Sequence, residues 1–435
     1  MASDELCSYF IISEDGEIHM EKIHMKKIVI ICMLVLHVLI LSACANQDNH
    51  SLVDNTTVED LVSSVTDTEV EFSNTTELFE NTSKTEDKED VTTSPTTEEP
   101  AKEYIDYLQS GGRLELPVNG ATGYAAINMN IKTDASSESE NIGSLTAGQE
   151  FTILQESSDW WQIEAGDVMG WVLHQNCFIN LPDVIPSIAY YDTNAFSSAF
   201  LSSGKTIPNI SGIQLYEAHS YNERLNKEEY IMPVLYSMSF KICTAQQAAL
   251  AEGNTLILYE GFRPYEVQQK VVTNLKELAK EDSEVNKGIS ASPWGITWFI
   301  ANSLSNHQRG VAIDVSLGEV LEEESCTTGD YIYRDVVSYS EYTMPTAMHE
   351  LSAAAVAFQY PVSSKSDTEW GEVPLSDSMN ESAIFLQQYC TNAGLSPLAS
   401  EWWHFNDLAT LELIRNNGNM GNYYLSTIVS RVPEK

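Results

Sequence analysis

Apolar positions change their period along the chain, and each change marks a different kind of segment. Ile28 to Leu41 is almost continuously apolar. The run is shorter than the ~20 residues a helix needs to cross a bilayer, and it follows the basic pair Lys26-Lys27, so it reads as an export signal. Asn46 to about Lys102 has few large apolar residues among Thr, Ser, Asn, Asp and Glu. Such a stretch buries too little surface to offset the entropy of ordering it, which predicts an extended, self-repelling tether. Between Leu116 and Pro182 the period becomes short and β-like, at Tyr124 to Lys132, Gln149 to Gln155, Trp160 to Glu164 and Gly170 to Leu173. Close-spaced runs separated by Gly, Asp and Ser turns predict a small all-β barrel. At least two of Trp160, Trp161 and Trp171 are expected in its core.

From Ile185 the pattern is mixed. Thr244 to Glu252 is Ala-rich and helical, and Thr255 to Tyr259 is a short apolar strand. Pro264 to Leu278 repeats Val267, Val271, Leu275 and Leu278 at helical spacing behind a proline suited to the first turn. Further helices are expected at Thr346 to Ala357, at Glu381 to Asn392 before Gly394, and at Leu408 to Asn417 with Asp407 as cap. Gly318 to Tyr342 reads as a long acidic loop. Strands this few and this irregularly interleaved predict an α+β domain, not a doubly wound sheet.

Charge narrows the partners. Asp and Glu number 63 against 23 Lys and Arg, a formal net charge of −40, which argues against a chain that neutralises nucleic-acid phosphates. Beyond the leader, Cys177, Cys243, Cys326 and Cys390 show no Cys-x-x-Cys spacing. Export permits disulfides, and buried free thiols are the equal alternative. Leu41-Ser42-Ala43-Cys44 resembles the lipobox of bacterial lipoproteins. The resemblance implies lipid attachment at Cys44, on the extracytoplasmic face of the bacterial membrane, with the tether reaching into the wall. An uncleaved anchor is the alternative. Residues 1 to 24 are acidic where a leader needs positive charge, so Met20 or Met25 is the expected start.

Two clusters fit a catalytic metal, which commonly takes three ligands from His, Asp and Glu and keeps a position for water. In Ser305-Asn306-His307-Gln308-Arg309-Gly310-Val311-Ala312-Ile313-Asp314 a helix would hold His307 and Asp314 about 10 Å apart. Gly310 and the β-branched run after it instead predict a turn feeding a strand, which folds His307 back beside Asp314. In Glu401-Trp402-Trp403-His404 an ideal strand would turn Glu401 and His404 to opposite faces, so a bulge or helical turn is needed to converge them. Between the clusters lies His349, a candidate to stand behind a metal ligand or to line the pocket, and otherwise an ordinary helix residue. Upstream, Tyr259-Glu260-Gly261-Phe262-Arg263-Pro264 fixes Arg263 between strand and helix, where its fork suits a carboxylate or an oxyanion.

In this order the three pieces resemble the VanX-type D-alanyl-D-alanine dipeptidases and related bacterial zinc D,D-peptidases. The pattern is a Gly-aromatic-Arg-Pro turn, Ser-x-His with six residues before Asp, then Glu-x-Trp-His, matched by Arg263, Ser305, His307, Asp314, Glu401, Trp403 and His404. The resemblance implies one zinc ion on His307, Asp314 and His404, Glu401 as general acid/base and Arg263 on the oxyanion. Ser305, Trp403 and His349 would stand on the substrate side. Substrates would be D-Ala-D-Ala-containing peptides, as free dipeptide or, by the alternative, as stem peptides trimmed by a D,D-carboxypeptidase. A third reading is an inactive wall-binding lipoprotein. Asn130-Ile131-Lys132, Gly148 to Phe151, Asp159 to Ile163 and Gly170 to Val172 resemble bacterial SH3-like domains, which implies peptidoglycan as a further partner. Lys132 stands where that family usually has Arg. The expected domains are 1–43 signal, 44–114 lipidated tether, 115–183 SH3-like and 184–435 zinc D,D-peptidase.

Overall fold

The computed structural model describes residues 102–415. The signal, Cys44 and the tether up to residue 101 lie outside the described residues. Seven strands open the described chain: β1 (Thr122–Ala125), β2 (Met129–Lys132), β3 (Asn141–Leu145), β4 (Glu150–Ser157), β5 (Trp160–Ala165), β6 (Val168–Leu173) and β7 (Cys177–Asn180). Side chains alternate across them, as a pleated strand requires: Phe151 and Ile153 of β4 and Trp161 and Ile163 of β5 are buried, while Glu150, Thr152 and Glu164 are exposed. Trp160 and Trp171 are only half-buried, so one tryptophan of the three is core where two were expected.

Next come β8 (Ala189–Tyr190), the hairpins β9 (Leu201–Ser202) with β10 (Lys205–Thr206) and β11 (His219–Asn222) with β12 (Lys227–Tyr230), and β13 (Pro233–Leu235). The first sheet runs β13-β7-β1-β4-β5-β6-β2-β3. It is an open path, not the closed barrel expected. β13 extends it antiparallel to β7, with Leu235 opposite Phe178, so the sheet takes in a strand from beyond residue 183.

The second sheet runs β17 (Ser396–Leu398), β18 (Glu401–Asn406), β15 (Ala312–Thr328), β14 (Asn254–Glu260), β8, with β16 (Tyr331–Glu341) also on β15. β14 is parallel to β8 and antiparallel to β15. Helices α1 (Tyr236–Ala251) and α5 (Glu381–Asn392) pack on this sheet; α2 (Tyr265–Glu281), α3 (Ser283–Ser290), α4 (Ile296–Phe299) and α6 (Leu408–Ile414) complete the set. The mixed sheet with segregated helices is α+β. All of β18 is buried, which fits a strand covered on both faces. α2 buries Val267, Val271 and Leu275 behind Pro264, and Asn380 caps α5 by accepting from the Ala383 amide.

Two expectations fail for physical reasons. Gly318 to Tyr342 is no loop: β15 and β16 form a long hairpin in which Glu323 and Glu324 face Val336 and Asp335 across the ladder. Tyr, Val and Ile on the second strand favour pairing, and the glutamates stay exposed in solvent. Thr346 to Ala357 is no helix. The Leu201 amide donates to the His349 carbonyl at 3.1 Å and the Leu351 amide to the Leu201 carbonyl at 2.8 Å, so the segment pairs with β9. Only Ala353–Ala355 makes a short helical turn, capped by Ser352. Cys177, Cys243, Cys326 and Cys390 are all free thiols.

Candidate metal centre

Three adjacent strands bring the side chains together. Asp314 on β15 lies in register with His404 on β18 and with Glu260 on β14, so the three stand side by side across neighbouring strands of the sheet. A register shift between β17 and β18, where Pro397 faces Phe405 but Leu398 faces Glu401, supplies the bend that swings Glu401 toward His404. Glu401 Oε2 is 3.7 Å from His404 Nδ1. His307 comes from the turn before β15, closed by the Gly310 amide donating to the His307 carbonyl and the Val311 amide to the Asn306 carbonyl. Gly310 has φ +66°, and a Cβ there would lie 1.9 Å from the Phe178 ring. Only glycine fits.

His307 Nε2 lies 3.2 Å from His404 Nδ1 and 3.3 Å from Asp314 Oδ2, and His404 Nδ1 lies 2.9 Å from Asp314 Oδ1. All three residues are buried. Their remaining bonds assign the protons. His307 Nδ1 sits 2.7 Å from the Gly261 carbonyl, which only accepts, so Nδ1 carries hydrogen and Nε2 a lone pair. His404 Nε2 sits 3.0 Å from Asn406 Oδ1, which also accepts from Asn306 Nδ2 at 2.8 Å. In the neutral ring, Nδ1 of His404 is therefore the lone pair. Two imidazole lone pairs and a carboxylate converge with nothing but acceptors facing inward, and separations of 2.9–3.3 Å lie close to those around four-coordinate zinc with bonds of about 2.0–2.1 Å. The donor set fits a zinc ion held by His307, Asp314 and His404.

Burial alone would raise the Asp314 carboxyl, but His307, His349 and His404 hold it well below the ordinary range. Burial lowers His307. His404 is raised, because Asp314 overcomes the effect of burial. Glu401 is pushed up to about 8 by burial, with His404 pulling against it and Asp314 adding to it. Arg263 is buried and nearly saturated: Nε donates to Glu260 at 2.8 Å, Nη2 donates to Glu260 and, at 2.9 Å, to Asp314, and Nη1 donates to Gln268 at 2.8 Å. Glu260 is itself held by Asn194 and by the Tyr216 hydroxyl, which also donates to Asp192.

A cavity of about 710 Å³ opens onto this cluster, lined among others by Arg263, Trp298, Ser305, His307, Glu401 and His404. Residues 224–417 match the family model of the D-ala-D-ala dipeptidases. That stretch carries every site residue named above except Asp192, Asn194 and Tyr216. Residues 127–176 match the bacterial SH3 domain model. The comparison with curated proteins finds no match. Among solved structures the chain is similar to one described as the LdcB LD-carboxypeptidase that reveals the molecular basis of peptidoglycan recognition. The likeness is 16% identical over 55% of this chain and 99% of that one, with a TM-score of 0.23, too low to show a shared fold.

Within residues 224–417 the structure brings His307, Asp314, His404, Glu401 and Arg263 into one cluster. Ser305 lines the cavity, bonded to Gln308 through its amide and hydroxyl. Trp403 and His349 are buried and do not line it; His349 stands behind Asp314, with Nε2 3.0 Å from Asp314 Oδ2. Sequence reasoning missed Asn406, Asn306, Glu260, Asp192 and Tyr216. Asn406 follows His404 at strand spacing, so both side chains point to one face, a signal available from the period alone. Glu260 stands three residues before Arg263 in the same turn. Asp192 and Tyr216 announce nothing, because their connection to Arg263 arises only from the fold.

Proposed function

We propose that this chain is a zinc-dependent peptidase that hydrolyses the D-Ala-D-Ala bond, with His307, Asp314 and His404 holding the metal. The observation that carries it is the convergence of two imidazole lone pairs and the Asp314 carboxylate, with tautomers set by the Gly261 carbonyl and Asn406. When bound, zinc polarises the scissile carbonyl and lowers the pKa of its water toward ~7. Glu401 takes the proton of the attacking water and returns it to the leaving amine. Burial pushes its carboxyl up and His404 pulls against it; the charge of a bound zinc would favour the carboxylate form that accepts the proton. Arg263 has one Nη1 hydrogen beyond its bonds to Glu260, Gln268 and Asp314, and this hydrogen serves the oxyanion. No covalent intermediate is required, in keeping with the lack of a Ser or Cys nucleophile motif.

Besides Arg263, the cavity is lined by Arg309, Lys365 and Arg415. In a chain of net charge −40 this is a local reversal, and it suits a substrate that ends in a carboxylate. A D,D-carboxypeptidase acting on stem peptides is the second reading, favoured by a volume of about 710 Å³, more than two alanyl residues need. Lipid anchoring at Cys44 and peptidoglycan binding by the SH3-like region complete the proposal, placing the enzyme outside the membrane.

The test is zinc analysis of the whole chain, followed by D-alanine release from free D-Ala-D-Ala and from a pentapeptide stem. The whole chain is required because β13 completes the first sheet. Release from the dipeptide alone supports the dipeptidase, and release from the stem supports the carboxypeptidase. Zinc bound with release from neither returns the wall-binding alternative, and no zinc in the wild type sinks the proposal.

A further inference from the structure

Glu260, Asp314 and His349 form a second group whose ligand atoms lie within 4.8 Å of one another. It is not a second metal site, because the Arg263 guanidinium already bonds both carboxylates there. His349 remains to be explained. Its ring is 1% exposed, and Nδ1 has no hydrogen-bond partner. With Nδ1 unpartnered and Nε2 3.0 Å from a carboxylate oxygen, Nε2 carries the hydrogen and donates it to Asp314.

The surroundings fix that ring. Phe200 stacks on it at 4.5 Å and 16°, and Trp403 meets it edge-on at 6.1 Å. The backbone of His349 has φ +59°, a left-handed conformation that a residue with a Cβ adopts only under constraint. Hydrogen bonds on both sides of the residue supply the constraint. Leu201 bonds the His349 carbonyl, and the next residue, Glu350, accepts from the amides of Ser203 and Gly204 and from the Ser352 hydroxyl. Glycine would hold this turn more easily, so the imidazole is present for what it touches.

We propose that His349 is a positioning residue that makes Asp314 a one-oxygen metal ligand. Asp314 Oδ2 takes the Arg263 Nη2 hydrogen at 2.9 Å and the His349 hydrogen at 3.0 Å. Both lone pairs of that oxygen are engaged from outside the cluster, and Oδ1, beside His404 Nδ1, keeps its lone pairs for the metal. A carboxylate so held cannot rotate to grip the ion with both oxygens, which keeps a coordination position open for water and carbonyl. This inference rests on the zinc reading above.

The experiment compares wild type, His349→Phe and His349→Gln as whole chains, measuring zinc dissociation constants by chelator competition and the visible absorption of the cobalt-substituted proteins. Phe keeps the ring packing and removes the donor; Gln returns a donor near the Nε2 position. His349→Phe is expected to keep the thermal midpoint of the metal-free protein, bind zinc 10–100-fold more weakly and shift the cobalt spectrum, and His349→Gln to recover most of the affinity and the spectrum. A His349→Phe protein with wild-type zinc affinity and cobalt spectrum would overturn the assignment while leaving the metal centre standing. So would equal losses in both variants with lowered midpoints of the metal-free proteins, which mark a packing role. A wild type that binds neither ion overturns the metal centre itself.

Discussion

His307 Nε2 and His404 Nδ1 lie 3.2 Å apart in the interior, each with its other nitrogen committed to an acceptor. Two facing lone pairs beside a carboxylate need a cation between them. Against the lowering effect of burial, Asp314 raises the His404 imidazole, the direction expected where a proton competes with a metal for this position. Zinc binding must then release a proton and bind the folded chain selectively. Chelation should lower the thermal midpoint, and zinc at a thousand times its dissociation constant should restore about 4 kcal/mol. Differential scanning calorimetry with and without chelator checks this; an unchanged midpoint speaks against a metal centre.

Glu401→Gln keeps shape and hydrogen bonding but cannot carry a proton. Activity should fall by about 10²–10⁴-fold, while zinc content stays at the wild-type level, because Glu401 is not among the three converging ligands. Parallel metal analysis and D-alanine release decide it. Loss of metal together with activity would make Glu401 a ligand.

Asn406 offers a sharper test of the tautomer argument. Its Oδ1 accepts from both His404 Nε2 and Asn306 Nδ2. Asn406→Ala frees the imidazole to turn and should weaken zinc binding about 10-fold or more, whereas Asn406→Asp keeps an acceptor and should hold affinity at or above wild type. Chelator competition separates the two outcomes.

Much of the site could be read from the sequence, because its residues come as local motifs. Gly310 signalled the turn that folds His307 back, and the Glu401 to His404 spacing demanded the irregularity seen between β17 and β18. What escaped reading is non-local. The pairing of Leu201 with residues 349 to 351 overrode the helical propensity of Ala-rich Thr346 to Ala357. The glutamates of the first strand mask the hairpin from Ala312 to Glu341, since a charged run has the composition of a loop while the opposite strand supplies the β-formers. The open sheet was likewise unreadable, since β13 joins β7 from some fifty residues away.

Gly310 joins the two sheets to the metal centre. Its amide closes the His307 turn, its carbonyl accepts from the Leu235 amide at 2.8 Å, and its α-carbon packs on Phe178. Gly310→Ala combines a left-handed backbone with a Cβ overlapping a buried ring. A loss of about 3 kcal/mol is expected from the two effects, with zinc affinity falling as His307 is displaced. Urea unfolding measures the first and chelator competition the second. A variant as stable as wild type would mean that Phe178 yields without consequence.

A pH dependence of stability should come from a residue that is not part of the candidate metal cluster. Glu115, buried, accepts from the Ser187 amide and hydroxyl and from Gln247 of α1. Burial nevertheless pushes its carboxyl up to about 7 from an ordinary 4.5. Because the folded value lies above the unfolded one, the folded chain holds the extra proton between those limits. The contribution is therefore complete below about pH 4.5 and is lost as pH rises through 7. About 3 kcal/mol is at stake if the shift is fully expressed. Urea unfolding of wild type and Glu115→Gln at pH 5 and pH 8 isolates it, because other titrating groups cancel in the difference. Wild type should lose stability relative to Glu115→Gln as pH rises, and a difference that stays constant with pH would show that Glu115 is ionised throughout.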